Sequence, residues 1–189
     1  MTTLTAFEQQ LASFARCGRV IVAVEGGSAS GKTTLAKRWE TRFDATVFHT
    51  DDFFLRPEQR TAERLAEAGG NLDRERFADE VLRPLTLDET VTYRRFDCHT
   101  GLLSDPITIV PTAFVVVEGA YATHPFFGAD YDVSLFLDVD PVLQQTRIRA
   151  RNTPEEANRF FERWIPLENR YFTETDIRSR CTVTVAITR

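Results

Sequence analysis

Lysine is nearly absent from this chain. Of its 23 basic residues only Lys32 and Lys37 are lysines, and arginine supplies the rest. A basic excess is missing too: 28 acidic residues leave a formal net charge of -5. That balance argues against nucleic acid as a partner, which calls for a basic footprint, but a local positive site could still hold a small anion. Cysteine is scarce. Cys17, Cys98 and Cys181 are odd in number and form no pair with metal-finger spacing, which argues against a zinc cluster or a disulfide framework. They read as buried or half-buried free thiols in a reducing compartment. No apolar stretch nears the roughly 20 residues of a membrane span, and the N-terminus lacks an apolar signal core. The expected setting is cytoplasmic, with no membrane partner. Internal repeats and low-complexity segments are also missing.

What is present suits one α/β domain over residues 1–189, with 42% hydrophobic residues to build its core. Leu4, Phe7, Leu11 and Phe14 recur at helical spacing and predict an amphipathic helix ended by Gly18. Buried strands are expected at 20–25, 45–50, 113–117, 133–139 and 182–187, since nearly continuous apolar runs mark strands covered on both faces. Helices are expected at 33–42, at 74–83 up to Pro84, at 141–151 and at 155–171 with a break at Pro166. Segments 90–96 and 107–110 could pair as a hairpin outside the main sheet, within a substrate-side insertion spanning about 56–110. This alternation predicts a doubly wound, mostly parallel sheet with ligands at the strand C-terminal ends.

The segment Gly26-Gly27-Ser28-Ala29-Ser30-Gly31-Lys32-Thr33 fits G-x-x-x-x-G-K-[ST], directly after the first apolar strand. Glycines let backbone N–H groups curl around phosphate oxygens. Lys32 can reach the β- and γ-phosphates, Thr33 can offer its hydroxyl to Mg²⁺, and the next helix points its positive end at the same anion. Acidic residues stand where strands should end, at Glu25, at Asp51-Asp52 and at Glu118. Phosphoryl transfer to a hydroxyl needs one carboxylate to take the acceptor's proton and another near Mg²⁺. Asp51 or Asp52 can supply the first, and Glu118 the second. Neighbours on an extended chain point to opposite sides, so Asp52 stays open. Arg147 and Arg151 share a helix face at i and i+4 and can neutralise a transferring phosphoryl group from a lid over about 147–163, in which Arg159 has no assigned role. A solvated basic helix is the plainer alternative. Tyr93, Phe96, Asp97 and His99 can stack on and read a flat base, or simply pack. His49 and His124 lack metal-ligand partners at useful spacing and read as structural.

These motifs together resemble the uridine kinase family, in the wider group with phosphoribulokinase and pantothenate kinase. The loop from Gly26 to Thr34 resembles its P-loop. Asp51-Asp52-Phe53-Phe54 resembles its Asp-x-Phe-Tyr segment, Asn71-Leu72-Asp73 with Phe77 its Asn-Phe-Asp…Phe segment, Val117-Glu118-Gly119 its acidic strand end and Arg147–Arg151 its lid arginines. In the family a Tyr-Asp and a later His contact the base; here Phe96-Asp97 and His99 occupy that stretch. The resemblance implies a P-loop kinase fold, ATP as donor with Mg²⁺, Asp51 as catalytic base, and Phe53, Tyr93, Phe96 and His99 near a nucleoside-like acceptor. It also implies a homo-oligomer. Two other classes stay open: an NTP-driven switch, although a guanine-reading Asn-Lys-x-Asp is absent, and a nucleotide-binding scaffold without catalysis.

Overall fold

The apolar runs pair into one sheet because each can bury both of its faces. The computed structural model describes residues 4–14, 19–128 and 131–188. Cys17 and Gly18, the expected end of the first helix, lie outside them. The strands are β1 (Val20–Gly26), β2 (Thr46–His49), β3 (Val91–Tyr93), β4 (Phe96–Asp97), β5 (Leu102–Leu103), β6 (Ile107–Ile109), β7 (Phe114–Glu118), β8 (Val133–Val139) and β9 (Val183–Ile187). Five of them form the central sheet in the order β2-β7-β1-β8-β9, and every pairing within it is parallel. All five C-terminal ends therefore face one edge.

Alternation along each strand feeds two cores. Val20, Val22 and Val24 point to the layer holding Phe7, Leu11, Leu35 and Trp39, from the helices Leu4–Phe14 and Lys32–Phe43. Ile21, Val115, Val117 and Phe136 point to the opposite layer, with Phe53, Phe77, Val81, Leu85 and Tyr171. Helices thus cover both faces, as the α/β reading requires.

Two prolines behave differently from expectation. The helix entered at Arg74 runs past Pro84 to Thr86, and the helix entered at Pro154 runs past Pro166 to Glu174. In each, a wide π turn immediately precedes the proline: Ala78–Leu82, closed by Arg83 N–H to the Ala78 carbonyl, and Phe160–Trp164, closed by Ile165 N–H to the Phe160 carbonyl. Proline lacks an N–H and its ring crowds the carbonyl one turn back. A widened turn shifts the hydrogen-bond ladder by one residue, so the helix survives.

The expected hairpin forms from β3 and β6, antiparallel. It bends at Arg94-Arg95 and continues as a second short pair, β4 with β5, so the 90–96 segment is two strands rather than one. Cys98 sits exposed in the turn of that second pair, contrary to the buried or half-buried reading, because no layer covers the turn. Cys181 is buried, and burial pushes its thiol up to about 11.

Trp39 is fully enclosed between Phe7 and Phe114. Trp39→Ala should cost about 3–5 kcal/mol in chemical denaturation, and a loss below about 1 kcal/mol would contradict this packing.

Candidate active site

β1 is the central strand, so the loop that leaves it emerges at the middle of the ligand edge. Gly26 has φ of 145° and passes so close to β8 that a Cβ there would lie 2.6 Å from the Leu137 carbonyl oxygen. Gly31 has φ of 103° at the helix entry, in the left-handed region that glycine adopts without strain. The result is a concave loop against the N-terminus of the helix Lys32–Phe43, which fits an anion. Lys32 is buried beneath it, with Nζ donating to the Gly26 and Gly27 carbonyls at 2.8 and 2.9 Å.

A cavity of about 650 Å³ opens over the loop, lined by Ser28 through Thr34 together with Asp51, Glu118, Arg147 and Arg151. Gly26 and Gly27, expected at the nucleotide, are not part of that lining; their carbonyls hold Lys32. Thr33 Oγ1 donates to Glu118 Oε1 at 2.9 Å, and His49 Nδ1 lies 2.7 Å from the same oxygen. Burial alone would raise the Glu118 carboxyl. The hydrogen bond from His49, the Lys32 charge and the Thr33 hydroxyl overcome that and hold it below the usual carboxylate range. The Glu118 hydrogen bond raises His49 in turn, against burial.

The single 3₁₀ turn at Thr50–Phe53 sends Asp51 and Asp52 in different directions. Asp51 faces the cavity, reachable by solvent but crowded by protein. The crowding pushes its carboxyl up, Glu118 adds to this, and Lys32 and His49 oppose it. Asp52 turns away, to Arg95 Nε at 3.3 Å and the Tyr93 hydroxyl at 3.4 Å.

Arg147 reaches over the loop, its Nη1 donating to the Ala29 carbonyl at 3.1 Å. Arg151 lines the same cavity with its guanidinium over the Phe160 ring. Arg149 points elsewhere, over Phe161, as the i, i+4 argument expects. Arg159 is exposed and outside the cavity lining.

The aromatic residues expected at the acceptor are placed differently. Phe53 has no exposed surface and packs between Phe77 and Tyr93, with ring centroids at 5.0 and 5.4 Å. Tyr93 and Phe96 are also buried. Phe53 and Tyr93 belong to the second core layer, Phe96 lies under the Arg60 guanidinium, and none offers an open face to a base. His99 alone of that set is exposed, on the β4–β5 turn.

Several site residues carried no readable signal. His49, read as structural, instead meets Glu118 at the cavity because the β2–β7 register sets them opposite, and strand order is not visible in a sequence. Glu168 is buried, taking the Ser28 N–H at 2.8 Å and the Ser28 hydroxyl at 2.6 Å. Gln144 donates to the Ser28 carbonyl at 2.8 Å. Both come from distant helices and look like ordinary helical polar residues in the chain. Glu25, the first of the strand-end acids, is wholly buried instead. It accepts from the N–H groups of Gly26, Tyr121 and Thr123 and from the Thr123 and Tyr171 hydroxyls. Burial raises its carboxyl. His124 is structural as expected: it stacks on Tyr171, and burial pushes it down to about 4.

Among the described residues no group of three or more His, Cys, Asp or Glu could hold a metal by itself. Thr33 and Glu118, 2.9 Å apart, fit Mg²⁺ as two oxygen donors, with the others coming from a nucleotide and water, the usual way this ion is bound.

No protein-family model matches the sequence, and no curated protein matches it. Solved structures do. The chain is similar to a possible uridine kinase from Bacillus stearothermophilus, with TM-score 0.67 at 19% identity over 94% of this chain and 98% of that one. It is similar to a candidate fructose transport system kinase from Silicibacter sp. TM1040, with TM-score 0.71 at 20% identity over 98% and 100%. At such identities the likeness is one of fold, and the fold is the α/β fold of the P-loop kinases.

The His49–Glu118 contact makes a direct prediction. His49 should titrate above the ordinary imidazole value of about 6.5, and Glu118→Gln should lower it, as followed by NMR of its ring protons. The stability gained from the pair is complete below the unfolded imidazole pKa and disappears as pH rises through the raised one. A His49 that titrates at or below about 6.5 would contradict the contact.

Proposed function

We propose that this protein is a kinase that transfers the γ-phosphoryl group of ATP to a hydroxyl of a small metabolite. One observation carries the reading: Asp51, Lys32, the Thr33–Glu118 pair, Arg147 and Arg151 all face one cavity over the loop. The loop amides and the helix N-terminus receive the phosphates, and Lys32 exchanges its two carbonyl partners for phosphate oxygens. Thr33 and Glu118 would hold Mg²⁺, which would supply charge neutralisation to the phosphates when bound. Asp51 accepts the proton of the acceptor hydroxyl as its oxygen bonds to the γ-phosphorus and the bond to the leaving diphosphate breaks. Arg147 and Arg151 neutralise the charge spread over the transferring group.

The first candidate for the acceptor is a nucleoside of uridine or cytidine type, by the resemblance of the motifs. A sugar is the second. It is favoured by the burial of Phe53, Tyr93 and Phe96, which takes those three rings away from a base, and by the polar Asp52–Arg95 pair beside Asp51. The fructose-related description of one structural neighbour agrees with that reading.

ATP consumption across a panel of nucleosides, sugars and vitamins tests the proposal, and a panel without any active acceptor counts against it. Asp51→Asn should lower turnover about 10²–10⁴-fold while nucleotide affinity stays within about twofold. Since the Asp51 carboxyl is raised, wild-type kcat/KM should fall as pH drops through a value above about 4, because the protonated acid cannot take a proton. Near-normal turnover of Asp51→Asn would remove Asp51 as base.

A further inference from the structure

The N-terminal helix Leu4–Phe14 takes no part in the site as described so far, yet it reaches the cavity. Half-buried Leu4 lines it beside Leu35, Arg38, Leu137 and Ile187. The sheet order separates this group from the acidic residues. Asp51 and Glu118 come from the β2 and β7 side of β1, whereas Leu137 and Ile187 come from β8 and β9 on the other side. With strands about 4.8 Å apart, Ile187 lies roughly 10 Å from the loop's strand. Arg38, six residues beyond Lys32, lies about 9 Å further along the helix. The cavity is thus acidic on the β2–β7 side of the phosphate loop, and on the β8–β9 side it carries an aliphatic patch edged by Arg38, Arg147 and Arg151, which suits a flat base next to its phosphates.

We propose that Leu4, with Leu35 and Ile187, forms the wall of a subsite for the base of the donor nucleotide, so that the N-terminal helix is a binding element. The inference rests on the nucleotide-donor reading above. The helix is fixed in place before any ligand arrives. Glu8, almost fully buried, accepts from Trp39 Nε1 at 2.8 Å and Arg42 Nη1 at 2.6 Å, and it pairs with Arg38. Phe7 and Leu11 are sealed into the core with Trp39. Leu4 is therefore preset, and little ordering cost falls on the ligand.

The test compares two probes on the full chain by calorimetry with Mg²⁺: the non-hydrolysable ATP analogue AMP-PNP, and inorganic tripolyphosphate, which has phosphates but no base. Wild type should bind both, the analogue more tightly. Leu4→Ala should weaken AMP-PNP about fivefold and tripolyphosphate by less than about twofold. Leu4→Met, which keeps the bulk, should restore AMP-PNP binding. Unchanged AMP-PNP binding in Leu4→Ala, or equal weakening of both probes, overturns the subsite and leaves the donor reading standing. Wild type that binds neither probe overturns the donor reading and the subsite with it.

Discussion

A single carboxylate oxygen, Glu118 Oε1, takes a hydrogen bond from Thr33 and lies 2.7 Å from His49. Three adjacent parallel strands meet there, because β7 ends in Glu118, β2 ends in His49 and β1 feeds the loop that leads to Thr33. The contact depends on parallel pairing, since an antiparallel β2 would carry His49 and Asp51 to the far end of the sheet. The charge balance of the cavity follows from the same alignment. Lys32 sits among Asp51 and Glu118, and its field opposes the rise of one carboxyl and deepens the fall of the other. One acid is thereby suited to accept a proton and the other to stay ionised.

A second buried carboxylate holds the frame in which this happens. Glu25 ties the end of β1 to the segment after β7 and to Tyr171 on the long helix 154–174. That helix returns Glu168 to the loop at Ser28, and the helix before it contributes Gln144 and Arg147. The loop is thus gripped from the sheet below and from two helices beside it. The π turn before Pro166 serves the same frame, because a break there would uncouple Glu168 from the helix start.

What could be read from the chain was local. The loop, the apolar strands, Asp51 and Glu118 were legible because spacing and strand ends lie within a few residues of one another. Glu168, Gln144 and His49 were not, since each reaches the site through packing between distant segments. Asp51 and Asp52 could be told apart only by the 3₁₀ turn that separates their directions. Phe53 and Tyr93 look the same in sequence whether they face a ligand or a core, and the second helical layer decides for the core. The N-terminal helix was legible as a helix, but its approach to the cavity through Leu4 was not.

The central claim is that the cavity moves a phosphoryl group to a hydroxyl rather than to water. Phosphorus NMR of ATP incubated with the protein, Mg²⁺ and a mixture of small hydroxyl compounds tests this most directly. Loss of the γ-phosphate signal matched by a new phosphomonoester signal is the predicted result. Loss of that signal matched by inorganic phosphate alone, with or without acceptors, would contradict it.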